Sequence, residues 1–135
     1  MNTGPRILLV ELDPLVRETL ASALTTGCAA QVWVAREAAE GVELALQHQP
    51  DLILMDLGVP DLDGLALCQA IAEHSELMHT KLWIMTGVTL DHRTRSALRC
   101  YADRLIQMPL SAAALSREIL NEVESCGPPL RWLSQ

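Results

Sequence analysis

Five short apolar runs alternate along the chain with five stretches whose apolar residues recur at helical spacing. The runs are Arg6 to Val10, Gln31 to Ala35, Asp51 to Met55, Lys81 to Met85 and Arg104 to Gln107, each of strand length. Asp51 to Met55 is almost unbroken in its apolarity, as befits the most buried, central strand. Helices are predicted over Pro14 to Thr25, Glu37 to Gln49, the segment beyond Gly64, Asp91 to Tyr101, and a last stretch from Ser111. This βα rhythm predicts an α/β domain, a parallel sheet covered by helices on both faces.

The punctuation fits the rhythm. Asp13 stands as N-cap with Pro14 in the first turn, Gly27 closes the first helix and Pro50 stops the second. In the second helix Ala38, Val42, Ala45 and Leu46 form an apolar stripe beside Glu37, Glu40 and Glu43. The loop Gly58 to Gly64 carries Pro60, Asp61 and Asp63, and the helix after it buries Leu65, Leu67, Cys68 and Ile71. Ser111 caps a helix with Leu115, Ile119 and Val123 inside, and Gly127, Pro128 and Pro129 end the fold. The expected organisation is one domain over residues 1–126, with 127–135 as a tail or linker stub.

Composition narrows the picture. A chain of 135 residues, half of them hydrophobic, can bury one core without disulfides or metal. Its formal charge of −7 argues against a nucleic-acid-coating domain. No stretch reaches the roughly 20 apolar residues that a bilayer requires, and the start does not resemble a secretory signal, so the chain is read as soluble and cytoplasmic. Cys28, Cys68, Cys100 and Cys126 lack ligand spacing and are expected to be buried free thiols. His48, His74, His79 and His92 fall on different elements, which disfavours a transition-metal site.

In an open parallel sheet, ligands bind beyond the carboxyl ends of the strands, where strand order reverses. The residues at those ends are Glu11 and Asp13, then Asp56, then Thr86, then Met108 and Pro109. Each has an ordinary role on its own: Asp13 and Asp63 as helix caps, Glu11 facing water, Thr86 as a good strand residue. Together they converge carboxylates and a hydroxyl, an arrangement suited to a hard cation and a phosphoryl-accepting acid.

Four segments resemble the receiver domain of bacterial two-component response regulators, over about residues 5–125. Ile7-Leu-Leu-Val-Glu-Leu-Asp-Pro14 resembles the acidic first loop, and Asp51-Leu-Ile-Leu-Met-Asp-Leu-Gly-Val-Pro-Asp-Leu-Asp-Gly64 the phospho-acceptor segment. Trp83-Ile-Met-Thr-Gly87 resembles the switch-threonine strand, and Ala102-Asp-Arg-Leu-Ile-Gln-Met-Pro-Leu110 the lysine–proline segment. The resemblance implies a flavodoxin-like (βα)₅ three-layer sandwich with strand order 2-1-3-4-5. It implies Asp56 as phospho-acceptor, Gly58 as a metal-binding carbonyl, Thr86 as the switch hydroxyl, Glu11 as the outer acid and a cis peptide before Pro109.

Three positions depart from the family pattern. Leu12 stands where the family has a second, metal-binding acid; Met108 where it has a lysine; Leu105 where it has an aromatic switch residue. Losing one electrostatic support for phosphoryl transfer typically costs roughly 10²–10³ in rate. Glu11 and Asp56, with no lysine and Asp13 outside, leave a pocket of net −2. The expectations are a raised Asp56 pKa, weak or absent Mg²⁺ binding through Glu11, Asp13, Asp56 and Gly58, and no catalytic residue.

Three functions follow, in order of preference. The first is a non-enzymatic degenerate receiver acting as a protein-interaction module. The second is a divergent receiver still phosphorylated on Asp56 by a histidine kinase. The third is a flavodoxin-like nucleotide or redox protein, against which the acidic loop after the first strand argues, because it repels phosphate. Arg93, Arg95, Arg99 and Arg104 cluster in an otherwise acidic chain. With the fourth helix, fifth strand and fifth helix they mark the expected docking face, for a sensor kinase, an output domain or a second copy, and not for nucleic acid or membrane.

Overall fold

The computed structural model describes residues 4–57, 62–87, 89–108 and 111–124. Strands β1 (Arg6–Val10), β2 (Gln31–Ala35), β3 (Leu52–Leu57), β4 (Lys81–Thr86) and β5 (Arg104–Gln107) alternate with helices α1 (Pro14–Gly27), α2 (Ala38–His48), α3 (Leu62–Glu73), α4 (His92–Arg99) and α5 (Ala112–Glu124). All strand pairs are parallel, in the order β2-β1-β3-β4-β5. The fold class and strand order match the expectation.

The period-2 alternation of the buried strands explains the two cores. Ile7, Leu9, Leu52, Leu54, Trp83 and Met85 face one side, where they pack with Leu20 and Leu24 of α1 and Leu115 and Ile119 of α5. Leu8, Val10, Ile53, Met55, Leu82 and Ile84 face the other, under α2, α3 and α4. Because both faces are covered, β3 is apolar throughout its buried length.

Several boundaries differ from the sequence reading. Helix α1 runs on through Gly27, and the left-handed residue beyond it is Ala29, at φ 53°. The glycine has a packing role: a Cβ there would stand 2.5 Å from Ser116 Oγ of α5. Helix α2 ends as expected before Pro50, with Gln49 left-handed at φ 47°. Strand β3 extends past Met55 because Asp56 and Leu57 pair with Met85 and Thr86. Helix α3 starts at Leu62, so Asp63 lies in its first turn and not at the cap, and a 3₁₀ turn over Ser75–Leu77 follows it.

Helix α4 is shorter than expected, with Asp91 as its cap and Leu98 as its buried residue. Ser111 caps α5 as expected, its Oγ accepting from Ala114 N–H at 3.1 Å. Cys28 and Cys68 are buried free thiols, whereas Cys100 is exposed, since it follows the last turn of α4 on the solvent side. Cys126, the terminal Gly127–Pro129 turn and the domain boundary near residue 126 lie outside the described residues.

Leu54 is fully buried in the central strand. Leu54→Ala is expected to lower the unfolding free energy by about 2–5 kcal/mol, read as the shift in urea midpoint.

Candidate functional site

Strand order reverses between β1 and β3, and the register there places two acids together. Val10 pairs with Met55, so the next residues, Glu11 and Asp56, leave the sheet side by side. On its other flank Asp56 is still paired to β4, opposite Met85.

Glu11 is held firmly. Its N–H donates to Ala35 O at 3.0 Å, and its carbonyl accepts from the Arg17 guanidinium at 3.1 Å. Oε1 accepts from Asp13 N–H at 3.0 Å, while Oε2 is buried with no hydrogen-bond partner among the described residues. The residue is only 5% exposed, in contrast to the water-facing acid that was one reading of it. Burial, followed by the neighbouring Asp56 carboxyl, pushes the Glu11 pKa up to about 8. At neutral pH Glu11 is therefore held mainly in its protonated form. Glu11 is the more deeply enclosed of the two acids, while Asp56 is half-buried.

Asp13 uses its carboxylate as a helix cap. Its Oδ1 accepts from Leu15 N–H at 2.9 Å and Val16 N–H at 3.4 Å, the N-cap of α1. Leu12 is 65% exposed and Leu15, a residue of the first turn, 73% exposed. Met108 is half-buried against the α1/α5 core, and its N–H donates to Thr86 O at 2.8 Å. Thr86 is buried at the last position of β4, in register with Leu57, one step beyond Asp56. Leu105 packs with Tyr101 on the α2–α4 side. Gly58 and the Met108–Pro109 peptide lie outside the described residues.

These side chains do not fit a divalent cation. A hard ion requires several ionised or carbonyl oxygens at one point. Among the described residues, Asp13 caps a helix and Leu12 offers no side-chain oxygen. Among the described residues no three His, Cys, Asp or Glu side chains gather into such a set.

The arginine cluster divides on inspection. Arg104 pairs with Glu118 at 3.0 Å and lies over the Trp83 ring, 4.8 Å from its centroid, so it belongs to the packing of α5 and not to a free basic patch. Lys81 and Glu122, 2.9 Å apart, fasten α5 one turn further on. Arg93 and Arg99 are exposed and Arg95 half-buried. Arg17 was missed in the sequence. Its helical position four residues after Asp13, reaching back to Glu11, was the signal available.

The family model described as "Response regulator receiver domain" matches residues 7–120. The transcriptional activator protein PfeR of Pseudomonas aeruginosa is 33% identical over 112 residues, covering 83% of this chain and 35% of that protein. A protein-glutamate methylesterase/protein-glutamine glutaminase of Pseudomonas fluorescens is 35% identical over 130 residues, covering 86% of this chain and 37% of that protein. The chain thus spans about a third of the length of these relatives. Among solved structures, the receiver domain of the sensor histidine kinase PA1611 from Pseudomonas aeruginosa PAO1, with a magnesium ion in its active site cleft, superposes with a TM-score of 0.76 at 25% identity. That alignment covers 91% of this chain and all of that one.

Two outcomes follow from the geometry. The folded chain holds a proton on Glu11 that the unfolded chain releases near 4.5, so the stabilisation is complete below that pH and is lost as pH rises through about 8. Unfolding free energies from urea titrations between pH 5 and 9 should fall by roughly 2–4 kcal/mol more in wild type than in Glu11→Gln; parallel profiles would refute the buried proton. Asp13→Ala should cost about 1 kcal/mol of stability through the lost cap, at every ionic strength and with or without Mg²⁺.

Proposed function

The chain belongs to the response regulator receiver domain family, a signalling family of two-component systems, and on that premise we propose that it is a degenerate receiver working in the cytoplasm as a protein-interaction module. The observation that carries this is the surroundings of Asp56. Beside it, past the end of the β1–β3 pairing, stands a buried acid that holds its own proton, and the positions of the second acid and the lysine are filled by an exposed Leu12 and a core-packed Met108.

Phosphoryl transfer to a carboxylate concentrates negative charge at the acceptor, and catalysis consists mainly of positioning and neutralising that charge. No lysine, arginine or histidine among the described residues forms an ion pair with Asp56. A carboxyl proton on Glu11 can donate one hydrogen bond, which relieves repulsion in the resting pocket but does not replace an ammonium and a metal. Phosphorylation then gives no strong drive, and the fold serves as a docking platform whose partner is a protein. Its docking face is formed by α4 and its neighbours β5 and α5.

Retention of Asp56 at the switch point and Thr86 at the end of β4 favours a second reading, a divergent receiver phosphorylated on Asp56 by a histidine kinase. Intact mass after incubation with acetyl phosphate and Mg²⁺, beside Asp56→Asn, separates the two. The expected result is no added phosphoryl group in wild type. Stoichiometric labelling that disappears in Asp56→Asn would establish the second reading. Restoring both supports in Leu12→Asp/Met108→Lys should speed labelling of Asp56 by at least about a hundredfold.

A further inference from the structure

Helix α4 carries charge that no ion pair with the described residues neutralises in full. Arg104 is paired with Glu118 and lies on Trp83. Arg93 is close enough to Asp91 to help hold that carboxyl below its usual range, an effect due first to the hydrogen bond from Thr94 N–H at 2.7 Å. Arg95 and Arg99 make no ion pair with the described residues. They are four residues apart on α4, and His92 lies three residues before Arg95, so the three fall on one helix stripe.

That stripe is adverse to the helix itself. Like charges four apart destabilise a helix by a few tenths of a kcal/mol. Helix α4 has eight residues, below the length that persists alone, and is anchored through Leu98 and the Asp91 cap. Arg99 has a local justification, since a cation in the last turn complements the helix dipole. Arg95, in the middle, has none. The surrounding chain carries −7, which opposes long anionic polymers and anionic membranes at a distance but leaves a discrete short-range match available.

We propose that the stripe His92–Arg95–Arg99 docks an acidic helix of a partner protein that presents carboxylates four residues apart. The proposal rests on the interaction-module reading and names the chemistry of its partner. Arg95 and Arg99 are separated by about 6 Å along the helix axis, the same step that separates side chains at i and i+4 on a facing helix. Guanidinium groups take carboxylates through two parallel hydrogen bonds, which rewards that spacing. Docked carboxylates also relieve the repulsion within α4 and order its short frame.

The test uses the full chain labelled with ¹⁵N and two synthetic helical peptides of identical composition, one with glutamates at i and i+4 along one face, the other with the same glutamates spread around the helix. The striped peptide should bind about tenfold more tightly and shift the amides of residues 91–101, and added salt should weaken it. Arg95→Ala and Arg99→Ala should each remove the preference for the striped peptide, while Arg93→Ala and Arg117→Ala keep it; circular dichroism confirms that each variant is folded. Equal affinity for the two peptides, or a short DNA duplex binding more tightly than either, overturns the proposal. Peptide shifts confined to β5 and α5 overturn the α4 stripe yet leave the interaction-module reading standing. Labelling of Asp56 by acetyl phosphate tells against that reading alone.

Discussion

A buried carboxyl set beside a second acid is the constraint on which the functional end of this molecule depends. The β1–β3 register forces Glu11 and Asp56 together at the point where the strand order reverses. Two ionised acids in that position would repel strongly in a partly dry setting. The molecule resolves the conflict with a proton on Glu11, because burial of Glu11 makes its ionisation the costlier of the two.

The rest of the fold is arranged so that this end can differ without loss of the scaffold. The two cores lie on either side of β1, β3 and β4 and are made by strand alternation, not by the residues at the strand ends. Helix α5 is fixed to the sheet by Leu115 and Ile119 inside and by the Arg104–Glu118 and Lys81–Glu122 pairs outside. Helix α4 is held far less firmly, with one buried side chain of its own. The α4–β5–α5 face is thus rigid on one side and lightly fastened on the other, which suits a surface whose conformation answers to a bound partner.

Leu12 and Met108 stand where the family resemblance implies an acid and a lysine. Leu12 is turned out to solvent, where an acid would have faced a cation, and Met108 has joined the core beside α5. Neither change disturbs the backbone: Met108 N–H still bonds Thr86 O, and Glu11 N–H still bonds Ala35 O. The architecture survives because it is held by main-chain pairing and apolar burial, whereas the chemistry depended on single charged groups.

Much of this was legible along the chain. The strands Gln31–Ala35 and Arg104–Gln107, the Asp13 and Ser111 caps and the stop before Pro50 follow from periodicity and local backbone preference, which act between residues near in sequence. The absence of a lysine and a second acid was likewise open to reading. Other features depended on neighbours far along the chain. Gly27 reads as a helix end but serves the approach of Ser116, and Asp56 is drawn into β3 by its pairing with Met85. Arg104 reads as surface charge but is taken up by Glu118 and Trp83. Residue order therefore set the elements, their order and the types of groups at the strand ends. Which acid keeps its proton and which arginines stay unpaired was decided only by packing, since burial and ion pairing are properties of groups that meet across the fold.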